Sequence, residues 1–423
     1  MYLVTDTKTL SQECQRLAEA DFVTVDTEFM RESTFWPRLC LIQMAGGEAE
    51  VVVDALAAKL DLTPFFELMG NERVLKVFHA ARQDIEIVHH LSGTIPHPVF
   101  DTQLAAMVCG FGEAASYGML VKKLLDTDLD KTSRFTDWSR RPLSEKQLEY
   151  ALGDVTYLRE LYPKLRAQID RANRVSWLDE EMALLTDPAT YEAHPEEAWR
   201  RLKMRVKTPK AMAILMEIAA WRDAEAQAQD VPRNRIIKDD AIYDLANQAP
   251  RNQEELAGLR SIHAGFSRSA KARGVLEAIE RGRKRDLSTV PRIKRGASLA
   301  PETAAVIDLL RVLLKAAAAR YGVAPKLIAT TDDLEKIARS DEADVAALKG
   351  WRRKLFGADA LALKRGKLAL AMGGKGSVVV MKADGLALAD GAVGANDAEI
   401  AGGDGGGRRT APEDDARTTR QGR

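Results

Sequence analysis

The sequence predicts an α/β domain built on a mixed sheet, followed by two smaller all-α domains. Three observations carry this. Strand and helix patterns alternate through residues 1–175. Strand signals fade after about residue 176, and stretches such as AMAILMEIAAWRDAEA carry helical periodicity instead. The regions 203–285 and 299–370 also share a register: VPRNRIIKDDAIYDLA (231–246) lies over VAPKLIATTDDLEKIA (323–338) at an offset of 92. Val231/Val323, Ile236/Ile328, Asp240/Asp332 and Ala246/Ala338 match, and LAGLR (256–260) lies over LKGWR (348–352) with no gap. A shared gapless register points to duplication.

The elements follow in order. Phe22 to Asp26 reads as a strand, with Leu39–Ala45 and Glu50–Asp54 as two more. Gly46-Gly47 between the latter suits a hairpin turn. Thr63-Pro64 opens a helix, Val74–Phe78 is a strand, and helix follows over Arg82–Leu91. Val99–Phe100 is a short strand end, after which Asp101 and Thr102 cap a helix running through Val108. Helices near Tyr117–Leu125 and Ser144–Leu161 complete the layer. Strand pairs followed by strand–helix alternation favour a mixed sheet covered by helices. The expected division is an α/β domain at 1–175, a linker at 176–202, helical domains at 203–285 and 299–370 joined by a basic linker at 286–298, and a Gly/Asp-rich disordered tail at 371–423.

Composition narrows the function. The chain has 423 residues, 46% hydrophobic and 29% charged, the range of a soluble globular protein. No run of 18 apolar residues occurs, so no membrane span is expected. The start lacks the basic-then-apolar pattern of a signal peptide. Three scattered cysteines with no CxxC pair fit a reducing cytoplasm rather than a disulfide framework or zinc site. The zero net charge hides an asymmetry. Residues 1–200 hold 21 Lys+Arg against 33 Asp+Glu, a net of −12, while residues 201–295 hold 21 against 12, a net of +9. An acidic domain followed by a basic one suits a nuclease that grips a polyanion away from its reaction centre; a solvated basic surface is the bland alternative.

Five residues carry the chemistry. In VTVDTEF, Asp26 and Glu28 stand two apart on a strand, so both carboxylates project from one side while Val25 and Thr27 face the other. Two adjacent like charges are costly without a cation. Asp84 lies in the first turn of the helix after VLKVF, where the helix dipole alone would favour an acid. Tyr150 and Asp154 are four apart and share a helix face. A phenol with an ordinary pKa of about 10 is a poor base, so Tyr150 is cast as a hydrogen-bonding group orienting a water. Four converging carboxylates can hold two hard divalent cations, Mg2+ or Mn2+, the arrangement that hydrolyses phosphodiesters. His79 is assigned a capping or packing role and Asp101 a helix cap, since hard cations prefer oxygen and Asp101 precedes a helix.

These motifs, in this order, resemble the DEDD superfamily of 3′–5′ exonucleases and, within it, the ribonuclease D family in its tyrosine-containing form. VDTEFMRE, FHAARQDIE and YALGD resemble the three exonuclease motifs, and DKTSRFTDWSRRPLSEKQLEYALGDVTYL, YGMLVKKLL and FDTQLAA are similar as well. Residues 203–285 look like an HRDC domain, a small helical nucleic-acid-binding module, and 299–370 like a second, more diverged one. The resemblance implies a ribonuclease-H-like (DnaQ-like) fold and Asp26, Glu28, Asp84 and Asp154 as ligands of two divalent cations. It also implies that Tyr150 positions the attacking water. RNA is the implied partner, with tRNA precursors as substrates and nucleoside 5′-monophosphates as products. Trp138, Arg140 and Arg141 are candidates for gripping the RNA end, by stacking and phosphate contact; a buried tryptophan with surface arginines is the alternative. The chain is expected to act as a monomer, without membrane or nucleotide cofactor, since no GxGxxG or GxxxxGK[ST] follows a strand. DNA as substrate and a catalytically silent RNA-binding scaffold stay open as competing readings.

Overall fold

The structure, a computed structural model, describes residues 3–130, 136–203, 206–291 and 300–383. The N-terminal domain is a six-stranded mixed sheet. Its strands are β1 (Leu3–Val4), β2 (Phe22–Met30), β3 (Arg38–Gly46), β4 (Ala49–Asp54), β5 (Leu75–Phe78) and β6 (Val99–Asp101). They lie in the order β1-β4-β3-β2-β5-β6. β2, β3 and β4 pair antiparallel, and β5 and β6 continue parallel to β2. The hairpin turn falls one residue later than expected, at Gly47-Glu48 between the paired Gly46 and Ala49, with Gly47 at φ 55°. β2 runs farther than expected because Glu28 and Phe29 form a bulge that lets pairing resume as far as Met30.

Helices α1 (Thr7–Leu17), α2 (Thr63–Gly70), α3 (Arg82–Ser92), α4 (Thr102–Val108), α5 (Tyr117–Leu125), α6 (Glu145–Arg171) and α7 (Val175–Leu185) cover the sheet. Asp101 caps α4 as expected, accepting from the backbone N–H of Gln103 and Leu104. α6 starts from a capping box at Ser144 and Gln147 and continues through Pro163, well past Leu161, because Leu161, Leu165 and Ile169 keep one face buried. α7 occupies the stretch expected to be a linker. Its Leu178 and Met182 join the main core, and Trp177 stacks on Trp351 with ring centroids 4.4 Å apart.

The remaining helices form two sets. The first comprises α8 (Pro209–Ala228), α9 (Arg233–Ile236), α10 (Asp239–Gln248), α11 (Gln253–Ala257), α12 (Ala264–Ser267) and α13 (Ala270–Lys284). The second comprises α14 (Pro301–Tyr321), α15 (Pro325–Ile328), α16 (Thr331–Arg339), α17 (Gly350–Arg352) and α18 (Ala358–Lys364), with a π-turn at Arg353–Gly357 joining the last two. The duplication is visible in the elements: Pro209 and Pro301, Arg233 and Pro325, and Asp239 and Thr331 begin successive helices and are each 92 apart. A hairpin of β7 (Leu368–Met372) and β8 (Val378–Lys382) follows α18. The tail therefore does not begin at 371: a Gly-rich turn joins two apolar segments, and Leu370 and Val380 pack onto the main core. Residues 384–423 and most of the basic linker lie outside the described residues.

The two sets attach differently. The second shares one continuous core with the sheet domain, from Val25 and Ile85 to Leu310, Leu334 and Phe356. Arg174 clamps this junction by donating to the carbonyls of Val108, Tyr321 and Gly322. Arg352 pairs with Glu180 and Glu181. The first set has its own core around Ile214, Leu245 and Ile279. It meets the sheet domain where Phe35, in the loop after β2, inserts beside Ala226 and Ile236. Asp230 Oδ1 accepts from the backbone N–H of both Phe35 and Trp36 at 3.0 Å, and the Arg233 guanidinium lies 4.3 Å over the Phe35 ring.

Candidate active site

β2 carries Asp26 and Glu28 to the centre of the sheet, and α6 crosses above them with Asp154. One carboxylate oxygen from each of the three lies within 4.8 Å of the others. Thr24, on the same face of β2, anchors the helix there: its hydroxyl contacts the Val155 carbonyl at 2.9 Å and the Ala45 carbonyl at 3.1 Å. Tyr150 stands one turn before Asp154 and hydrogen-bonds its side chain. His79, Tyr117 and Leu158 complete a cleft of about 260 Å³.

Asp84 stands at the edge of this group. It projects from the first turn of α3 and accepts from the Thr27 hydroxyl at 2.5 Å. Thr27 does face away from Asp26 and Glu28, as the strand alternation requires, and that is the side from which α3 approaches. The structure thus gathers three carboxylates tightly, with the fourth held beside them by the residue between the first two.

Electrostatics show what the cluster lacks. Close packing of protein around Asp26, then the Asp154 charge, push its carboxyl well above the usual range. Burial, then Asp26, Asp154 and Asp84 in turn, push Glu28 up to about 9. Burial raises Asp154 to about 7, partly offset by the Tyr150 hydrogen bond. Burial and the Asp26 charge raise Asp84, against the Thr27 hydrogen bond. No lysine or arginine contributes to any of the four among the described residues. An all-oxygen, uncompensated carboxylate set at a partly buried cleft fits hard divalent cations.

His79 plays the structural part assigned to it. Its Nδ1 lies 3.0 Å from the Thr102 hydroxyl, which in turn donates to the Phe78 carbonyl. Asp101 likewise acts as a cap, its carboxylate accepting from the backbone N–H of Ala80 and Ala81.

The expected RNA-gripping residues need correction. Trp138 is 3% exposed, packed with Cys40, Leu41 and Val52 and standing 6.2 Å from the Tyr150 ring, so its face is not open for stacking on a base. Arg141 is spent inside the domain: it binds both Asp54 oxygens and donates to the carbonyls of Cys40, Trp138 and Arg140. Arg140 is exposed and, among the described residues, pairs with nearby Asp137. Sequence reasoning missed Thr27 and Tyr117. The Tyr117 hydroxyl donates to the Gly153 carbonyl at 2.9 Å, holding α5 to α6 at the cleft wall. Each shows only once the helices are placed on the sheet.

A mixed sheet whose central strand and crossing helix gather acids at one cleft defines the class: a 3′–5′ exonuclease domain. The family model of that description matches residues 1–170, and an HRDC domain model matches residues 211–279. Ribonuclease D of Nitrobacter hamburgensis is 55% identical over 379 residues, covering 90% of this chain and 99% of that protein. Ribonuclease D of Bartonella henselae is 47% identical, covering 87% and 91%. The chain belongs to the ribonuclease D family of 3′–5′ exoribonucleases. Its fold matches the crystal structure of Escherichia coli RNase D with a TM-score of 0.74, at 24% identity, covering 86% of this chain and 98% of that one.

Proposed function

We propose that this exoribonuclease is metal-dependent and trims the 3′ ends of tRNA precursors and other structured RNAs, releasing nucleoside 5′-monophosphates. The observation that carries the reading is the convergence of Asp26, Glu28 and Asp154 within 4.8 Å, with no lysine or arginine acting on them among the described residues. These three would hold two divalent cations, Mg2+ or Mn2+, with Asp84 as fourth ligand once its carboxylate exchanges the Thr27 hydroxyl. Bound cations supply a water of lowered pKa and stabilise charge on the leaving 3′ oxygen.

The chain's own groups do the rest. Tyr150 donates to Asp154, and its ring rests against buried Trp138, which fixes the phenol where it can orient the attacking water. Water adds to the terminal phosphorus and the P–O3′ bond breaks, so the phosphate leaves on the 5′ oxygen of the released nucleoside. The shortened RNA keeps a free 3′-hydroxyl. The basic region 203–285 grips the RNA backbone, and 299–370, built into the catalytic core, acts as a second, diverged HRDC-type domain that buttresses it. The reading places the protein in the cytoplasm as a monomer, where reducing conditions suit its three free cysteines.

Asp26→Ala or Asp154→Ala is expected to abolish turnover while RNA affinity in filter binding stays near that of the parent. Full activity in either variant removes the site assignment.

A further inference from the structure

Gln43 sits on β3 directly opposite Asp26 on β2. Directly paired residues on antiparallel strands project from the same face with Cβ atoms about 5 Å apart. Gln43 is fully buried, at 0% exposure. Its amide nitrogen and amide oxygen both have no hydrogen-bond partner among the described residues. Buried amides are almost always paired, and an unpaired one here needs a reason, since leucine or methionine would fill the same volume without an orphaned polar group.

The surroundings leave few partners. On its own strand the same face carries Leu41 and Ala45, and its paired neighbour on β4 is Val52, all apolar. From α6, Ala151 packs into the same apolar cluster as Leu41 and Val52. The Thr24 hydroxyl gives its single proton to a carbonyl, Val155 or Ala45, and makes no hydrogen bond with Gln43. Of the side chains in register on this face, that leaves the carboxylates of the cluster, Asp26 first among them.

We propose that Gln43 is a positioning residue for Asp26, its side-chain N–H donating to the carboxylate oxygen turned away from the cation. A carboxylate that ligates through one oxygen keeps acceptor capacity on the other, and a fixed donor there sets the ligand's orientation and raises its affinity. The amide is thus spent in the metal-bound enzyme rather than in the fold. This inference rests on the metal-site reading above.

The test uses the full chain, with Gln43→Met as the near-isosteric variant and Asp26→Asn as the control. Mn2+ binding is measured by calorimetry, thermal midpoints with and without Mn2+, and kcat and KM on an RNA oligonucleotide. For Gln43→Met, the metal-free midpoint should hold or rise, because an orphaned amide is gone. Mn2+ affinity and kcat should each fall about 10–100-fold with KM little changed. Mn2+ affinity and kcat within twofold of the parent would overturn the proposal. So would a lowered metal-free midpoint with unchanged Mn2+ affinity, the signature of a packing role. If the parent binds no Mn2+, or Asp26→Asn binds it equally well, the metal-site reading fails instead. Should Gln43→Met not fold, Gln43→Asn retains the amide but shortens its reach by one methylene, and the same affinity comparison decides.

Discussion

Without a cation, Asp154 and Glu28 hold their protons to about pH 7 and about pH 9 in the folded protein. Unfolded, both titrate near pH 4. The folded state therefore binds more protons than the unfolded one between these limits, and the cluster's contribution to stability falls as pH rises from about 4 through 9. Divalent cations remove this penalty by compensating the ionised carboxylates. The midpoint gained on adding Mg2+ to chelator-treated protein should be small at pH 5.5 and larger at pH 8.5, read by differential scanning fluorimetry; a gain independent of pH would contradict the charge argument. Trp138→Ala should cost about 3–5 kcal/mol in chemical denaturation, the loss of a large buried aromatic, rather than a selective loss of RNA affinity. At this scale the sequence made Asp26, Glu28, Tyr150 and Asp154 legible, because strand and helix spacing alone place them on shared faces. It could not show that Asp84 would meet Thr27, or that Arg141 would be consumed by Asp54. Those contacts join residues 57 and 87 positions apart and exist only after the sheet has formed.

The strand that carries two of the acids also leads, within a few residues, to the contact with the first helical set. Arg31 forms a two-pronged ion pair with Glu86 on α3, with both bonds at 2.8 Å, and Phe35 then inserts beside Ala226 and Ile236. Phe35→Ala removes the aromatic anchor, and Asp230→Ala leaves two backbone N–H groups unpaired, at a cost of about 1–3 kcal/mol. Either variant should release the first set from the sheet domain, seen as faster protease cleavage between residues 186 and 208, while the second set stays protected. Equal protection in parent and variants would show that the anchor does not hold this interface. Gly110 makes the second junction: at φ 80° it lies so close to Gly322 that an added Cβ would sit 2.6 Å from the Gly322 oxygen. Most elements were readable from caps, turns and periodicity. α7 was not, because its apolar residues are matched to partners such as Trp351, far along the chain. The β7–β8 hairpin was hidden by glycines that also suit a disordered tail.

Over the whole molecule, charge and packing divide the labour. The second helical set is fused into the core that supports the acids, so removing it would expose buried surface beneath the active site. The first set keeps a separate core and presents Arg268 and Arg273 along an open cleft on α13. If this surface tracks the RNA backbone, the double variant Arg268→Gln/Arg273→Gln should reduce the slope of log affinity against log salt by about 1–2 and leave kcat on a short oligonucleotide unchanged. An unchanged slope would take the gripping role from this face. The division into an acidic catalytic part and a basic helical part was present in the charge distribution, and the duplication in a single offset. The unequal attachment of the two copies was not, since it depends on which helix faces find the sheet domain. If the carboxylate cluster works through divalent cations on RNA 3′ ends, shortening of RNA must depend on the metal. The decisive assay takes a 5′-labelled tRNA carrying a 3′ extension, incubated with enzyme and Mg2+ or Mn2+, beside a chelator control and a matched DNA. A ladder shortening from the RNA 3′ end that the chelator abolishes is expected; shortening that persists in chelator, or binding without shortening in either metal, would rule out metal-dependent trimming by this cluster.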